Sequence, residues 1–425
     1  MDSLINALQS RMTSFQIGFT GFKPIDRQIK DCLLNNPDLL GSIESFGVQW
    51  NFITRRAHFT VGYRADNSEM TIVVRDYFEM LTAVTMILKS HKSKVKIIVD
   101  NRNKFVSSNT IFEYIQKVEI DTGIEYALDQ RSQTTLSTMS YFNDEILVCD
   151  LVYTYFDDYK TVNSLSCVVA EHFIKSRIPK NDPKKAVSYL MKWFRNNISY
   201  KKNNVSADHS AVGLIRNGTA VCQGIAVYAY MFFKECGVNA RIATGEGRGD
   251  NGWEAHAWNM VCVDGEWKHV DFTFELNSDS LSAFHPMFMF RMSHRWDEDL
   301  FSVEKSNRVS EVSEKLSRSI VTLLKNQKIF SINGCIVYLS SLRQTTRANG
   351  EEIYVALSEI LPFIGGSSSF VGEVCNIYLK GQRKQIPVSS LLRTDNVLYY
   401  PISTFSDLNL DISYTDKTIS LKLRD

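Results

Sequence analysis

Cys222, His256 and Asp271 are the residues of this chain whose types and order could carry nucleophilic chemistry. A thiol attacks a carbonyl carbon once it is a thiolate. An imidazole can take and return its proton, and a carboxylate can hold that imidazole in one tautomer. Around the thiol the sequence reads SAVGLIRNGTAVCQGIAVYAYMFFKECG. Cys222, Ile225, Ala226, Ala229, Phe233 and Cys236 recur there at helical spacing, and Gly237 supplies a natural stop. Thr219 is expected to cap this helix. Cys222 then sits in the first turn, pointing inward, where unsatisfied amides and the helix dipole favour a thiolate. A single cysteine is by itself more often buried and inert, so its neighbours decide.

Those neighbours are HAWNMVCV and EWKHVDFTF, two strand-like runs joined by Asp264-Gly265, the signature of a two-residue hairpin turn. That turn sets Val263 opposite Glu266, Trp258 opposite Asp271 and His256 opposite Thr273. Alternation then puts His256, Trp258 and Asp271 on one face, with Asp271 the diagonal neighbour of His256. An isolated strand histidine is more often structural. One that shares a face with a diagonal carboxylate, downstream of a helix-starting cysteine, fits a general base.

These segments resemble the transglutaminase-like superfamily of papain-type folds, over about residues 150 to 300. The matching phrases are TAVCQGIA with Cys222, AHAWN with His256, and VDFTF with Asp271 and Thr273. SAVGLIRNG resembles the approach to the nucleophile, and SHRWD resembles a segment downstream in bacterial members. One departure stands out: Phe272 occupies the place where a proline commonly follows the Asp, and is expected to alter the turn without removing the carboxylate. The resemblance implies Cys222 as nucleophile, His256 as base and Asp271 as orienting acid.

Other residues read more plainly. Trp258 either shields the thiol–imidazole pair or packs in the core. Gln223 follows the cysteine and takes no oxyanion role, whereas the Cys222 backbone amide could. His269 reads as structural, and His209 as at most a cleft residue. GEGRGDNG (245–252) lacks the context and lysine of a phosphate cradle and reads as a mobile loop walling the cleft. No His, Cys or carboxylate set has metal-site spacing, so neither metal nor cofactor is expected.

The elements that must position the site follow from pattern. The first forty residues read as helical. HFTVGYR from His58 is a strand, followed by a helical stretch from Ser68 to about Lys89. LVCDLVYTYF is a strand followed by a helical run from about Thr161 to Lys175. The similarity of these units suggests a degenerate internal duplication. Asp182 and Pro183 should open a helix reaching Asn197, with Ala186, Leu190, Trp193 and Phe194 as its apolar stripe. The expected fold is multidomain α+β: a papain-like core, its nucleophile helix packed on an antiparallel sheet, between an N-terminal α/β region and a small C-terminal α/β module. The expected divisions are 1–145, a catalytic domain at 146–305, a charged helical connector at 306–328, and 329–425. The last contains two similar halves, EEIYVALSEILPFIGG and VLYYPISTFSDLNLDISYTDKTISLKL, and resembles the copper amine oxidase N-terminal-like domain, which implies no copper.

Composition bounds the rest. The chain has 425 residues, 44% of them hydrophobic, and a net charge of +1. That length exceeds what one core supports, and the charge gives no footprint for nucleic acid or anionic membrane. No apolar run is long enough for a membrane span, and no secretory signal opens the chain. Eight scattered cysteines without a CxxC pair suit a reduced, cytoplasmic setting, unless a leader has been removed. The expected activity is that of a cysteine-dependent hydrolase or acyltransferase on protein or peptide amides, a cysteine protease first. Gln-directed transglutamination or deamidation is the alternative, and a noncatalytic binding module is the rival from another class. The C-terminal module is expected to be separable and to serve partner or surface contact.

Overall fold

The computed structural model of the chain describes residues 1–19, 24–51, 53–125, 131–201, 209–249, 252–276, 283–318, 320–325, 329–342, 344–349, 352–394, 397–405, 408 and 410–423. It is a mixed α+β protein.

Two runs without a polar face organise one half of the molecule. Met70–Val74 and Lys94–Asp100 are buried almost throughout, as suits strands covered on both sides. They lie parallel, joined by the helix Tyr77–Ser90, which Asp76 caps by accepting from the Glu79 amide at 2.8 Å. The helix expected from Ser68 therefore begins nine residues later, because MTIVV is β-branched and buried on both faces.

Around this pair runs a nine-stranded sheet. Its spatial order is Leu410–Tyr414, Thr418–Leu423, Ile320–Leu324, Ile329–Ile332, Cys335–Leu339, Met70–Val74, Lys94–Asp100, Ile146–Tyr155 and Arg131–Tyr141. Every other neighbouring pair is antiparallel. Val337 lies opposite Ile72, so the sheet crosses both expected boundaries, at 145/146 and at 328/329. The stretch expected as a helical connector holds most of a helix, Val303–Ser317, and then a strand inside this sheet; residues 319 and 326–328 lie outside the described residues. Ile72, Ile97, Val321, Phe330, Val337 and Leu421 share one core. The apolar face of the C-terminal strands is shared with the N-terminal βαβ unit. The two similar C-terminal halves meet where Val355 pairs with Tyr400.

The N-terminal forty residues include a strand, Ser14–Gly18, beside the expected helices. It joins Arg56–Tyr63 and Ile43–Asn51 in a small sheet. Arg56–Tyr63 and Ile146–Tyr155 thus belong to different sheets, and the two units read as a duplication are not built alike.

The second half of the molecule positions the site. A four-stranded antiparallel sheet runs in the order Glu266–Val270, Gly252–Val263, Ala240–Gly249, His294–Trp296. The helix Cys222–Glu235 packs on it, with Tyr159–Ser176, Pro183–Asn197 and Ala211–Asn217 around that helix. Pro183–Asn197 is built as its sequence predicts: Asp182 accepts from the Lys185 amide at 3.0 Å and Ala186, Leu190 and Phe194 are buried. The two halves are tied by ion pairs and hydrogen bonds, among them Arg241–Glu125 at 2.8 Å, Arg383–Glu171 at 3.1 Å and Asn163 Nδ2 to the Ser368 carbonyl at 2.8 Å. Among the described residues no helix is long and apolar enough to cross a membrane.

Candidate active site

Cys222 is the first residue of its helix, as the spacing predicts. Val221, not Thr219, is the N-cap, and no side chain caps there; Thr219 is extended and pairs with Ser199. The amides of the first turn therefore have no side-chain cap. Behind Cys222 the helix is buried along its length, and Asn259 Nδ2 donates to the Ala226 carbonyl at 2.9 Å, fixing the helix to the central strand.

The hairpin has the predicted register. Val263 pairs with Glu266 and Asn259 with Val270, and the turn residues Asp264 and Gly265 have φ of 52° and 83°. The second strand ends at Val270, where a strand through Phe274 was expected. Asp271 instead caps a short helix, Phe272–Glu275, accepting through Oδ1 from the Thr273 amide at 2.8 Å and the Phe274 amide at 3.3 Å. Phe272, in the proline position, is buried against Phe194 and Phe233, and this anchors the turn. Asp271 Oδ2 faces His256 Nε2 at 2.6 Å, and the His256 ring also hydrogen-bonds Cys222. The structure thus brings all three sequence-predicted residues together.

The glycine-rich stretch is strand, not loop, as far as Gly249, and the hairpin resumes at Gly252; residues 250 and 251 lie outside the described residues. Its glycines are required by close approach. A Cβ on Gly247 would meet the His256 ring at 2.9 Å, and one on Gly245 would lie 2.0 Å from the Arg295 carbonyl oxygen. The His256 ring therefore packs closely against bare backbone at Gly247.

Sequence reasoning missed His294. Its Nε2 lies 2.9 Å from the same Asp271 Oδ2, and its side chain is 1% exposed. Only the SHRWD phrase pointed to this region, and no spacing rule joins it to Asp271. Among the described residues His256, Asp271 and His294 form the one such cluster of candidate ligand atoms. Their 2.6 and 2.9 Å separations are hydrogen-bond lengths onto one oxygen. Trp258 is fully buried and donates from Nε1 to His269 Nδ1 at 2.8 Å, which makes both part of the site's floor. His209 is exposed, and Gln223 is half-buried beside the thiol. A cavity of about 620 Å³ lies elsewhere, lined by Arg27, Lys30, Arg75, Asp100, Arg102 and Glu145, and holds no nucleophile.

The electrostatics suit an ion pair. Burial works against the His256 cation, but Asp271 and Cys222 outweigh it and raise the imidazole to about 10. Burial likewise opposes the Asp271 anion, and the two imidazoles still hold it down at about 2. Burial, with repulsion from His294 and Arg291, lowers His269 to about 4, so it stays neutral. The sign of the linkage follows. Asp271 adds stability above its ordinary 3.8, lost as pH falls towards 2; His256 adds stability below its ordinary 6.5, lost as pH rises towards 10. The difference in Tm between the natural chain and His256→Ala should therefore be greatest between 3.8 and 6.5 and shrink above it. A difference that stays flat from 6.5 to about 10 would mean that the pair is not ionised.

Residues 173–272 match the model of the Transglutaminase-like superfamily. No curated protein matches the chain in sequence. Among solved structures, a candidate cysteine protease from Cytophaga hutchinsonii is 17% identical, over 41% of this chain and 73% of its own, with a TM-score of 0.24. A TGase is 14% identical over 49% and 56%, with a TM-score of 0.23. Menin, in the structure that reveals its binding site for the Mixed Lineage Leukemia protein, is 10% identical over 39% and 42%, at 0.23. At such TM-scores none of the three bears on function. The segment that matches the transglutaminase-like superfamily model, residues 173–272, holds Cys222, His256 and Asp271.

Proposed function

We propose that the chain is a cysteine-dependent hydrolase or acyltransferase acting on protein or peptide amides, with peptide or isopeptide hydrolysis as the leading reaction. The observation that carries this reading is the His256 ring, hydrogen-bonded to the Cys222 thiol on one side and to the Asp271 carboxylate, at 2.6 Å, on the other. With Nε2 given to Asp271, Nδ1 is the nitrogen left for the thiol.

His256 takes the thiol proton, and the sulfur attacks the amide carbon to form a tetrahedral oxyanion. The Cys222 backbone amide, at the first residue of the helix, would donate to that oxygen. The C–N bond then breaks as His256 returns the proton to the departing amine, leaving an acyl-thioester on Cys222. Water attacks that ester, gives a proton to His256 and releases the carboxylate, and the proton returns to the thiol. An amine in place of water would give cross-linking, and a glutamine side-chain amide as substrate would give deamidation.

The test is mass spectrometry of cells expressing the natural chain or Cys222→Ala. New peptide termini that depend on Cys222 are expected. Gln-to-Glu conversions or Gln–Lys bonds would select the alternative chemistries. Identical proteomes, together with Cys222 alkylating in iodoacetamide no faster than buried Cys236, would leave a binding module.

A further inference from the structure

Asp271 Oδ2 serves two imidazoles, His256 at 2.6 Å and His294 at 2.9 Å. Its Oδ1 is occupied by the amides of Thr273 and Phe274, so the carboxylate has four donors. His294 is held independently of Asp271. Its ring stacks on Phe290 at 3.7 Å and 13° and meets the edge of Trp258 at 4.9 Å. Its Nδ1 lies 2.9 Å from Ser293 Oγ. Nδ1 also lies 3.3 Å from the Phe290 carbonyl oxygen, to which Ser293 Oγ donates at 3.2 Å. A carboxylate oxygen only accepts, so the Nε2 that faces Asp271 is the donor of that bond. A ring present only for packing would not need its polar edge turned onto the oxygen that holds His256.

We propose that His294 is a positioning residue for the reaction above: by donating to Asp271 Oδ2 it shares the carboxylate's charge and limits how tightly His256 holds its proton. The consequence for turnover rests on the reading of Cys222 as nucleophile; the effect on His256 does not. Two effects of removing His294 oppose each other. Losing an anchor could let the carboxylate swing away from His256 and lower its proton affinity. Losing a donor concentrates charge on Oδ2 and raises it. Oδ1 stays pinned by two backbone amides whatever stands at 294, so the charge effect wins. An imidazolium held too tightly is a poor acid towards a departing amine, and His294 keeps it in range.

The other charged or titratable groups facing this pair come from separate elements. Cys222 and Tyr200 lie near the His256–Asp271 side, and Glu254 beside Tyr200. His269 and Arg291 lie on the His294 side. Substituting His294 leaves all of these residues in place and, among them, removes only its own repulsion on His269.

The test is a titration of ¹⁵N-labelled histidine by NMR in the full chain carrying Cys222→Ser, which removes the thiolate. The His256 signal is assigned by its loss in His256→Ala. His294→Gln keeps a donor near the Nε2 position, His294→Asn is too short to reach, and His294→Phe keeps a ring without a donor. Phe and Asn should raise the His256 midpoint by roughly 0.5–1 pH unit, a threefold to tenfold change in proton affinity, and Gln should leave it near its starting value. No rise in the Phe and Asn variants, or a fall, would overturn the proposal. An equal rise in Gln would do so too, because it would trace the effect to the lost ring. If Phe fails to melt cooperatively, the Asn–Gln pair decides. Cys222 alkylation in the otherwise natural chain tests the nucleophile separately, so the two readings fail independently.

Discussion

A chain that ends at Asn307 will not fold. Five strands of the nine-stranded sheet lie beyond that point, and one of them, Cys335–Leu339, is the antiparallel partner of Met70–Val74. Cutting there leaves Met70–Val74, apolar on both faces, as a bare sheet edge, which invites aggregation. It also removes Val321, Leu323, Phe330, Ile332, Val337 and Leu339 from the core they share with Ile72 and Ile97. Each such side chain contributes about 1.5–3 kcal/mol when buried. A handful therefore equals the whole net stability of a domain, roughly 5–15 kcal/mol. The active-site half loses its supports as well, including Arg383–Glu171 and the bond from Asn163 to Ser368. The expected result is insoluble or non-cooperatively melting protein. A shortened chain that melts cooperatively, with Cys222 alkylating at its full-length rate, would mean that the C-terminal strands form the separable module expected from composition.

Asp271→Asn should keep the fold and lose turnover by about 10⁴-fold, as mispaired tautomers do in acid–base–nucleophile triads. The Asn carbonyl can still accept from the Thr273 and Phe274 amides, so the cap survives. Its amide nitrogen then takes the place of Oδ2 and presents hydrogens to the Nε2–H groups of both His256 and His294. For His256 to accept from it, the ring proton must move to Nδ1, the nitrogen that should receive the thiol proton. The base is thereby blocked without being displaced. Turnover is to be measured on a peptide identified by the proteomic comparison, alongside iodoacetamide labelling of Cys222, which should slow as well. Unchanged rates in a variant that melts normally would remove Asp271 from the reaction.

The local site was legible in the sequence because its determinants are local. Helical spacing from Cys222 to Cys236, the Asp264-Gly265 turn and the alternation about it depend on residues a few positions apart, and they placed Cys222 at its helix start and His256 in the register of its hairpin. The end of the second strand was not legible, because Asp271 leaves the sheet to cap a helix and Phe272 follows it into the core. What only the tertiary structure decided depends on contacts between distant segments. Glycines read as loop are strand, because the His256 ring and the strand His294–Trp296 press on them. His294 reaches Asp271 from twenty-three residues away, with nothing in the spacing to announce it. The division of the chain was misjudged for the same reason. A short apolar strand carries no record of its partner, and Cys335–Leu339 found its partner at Met70–Val74, across the whole active-site half.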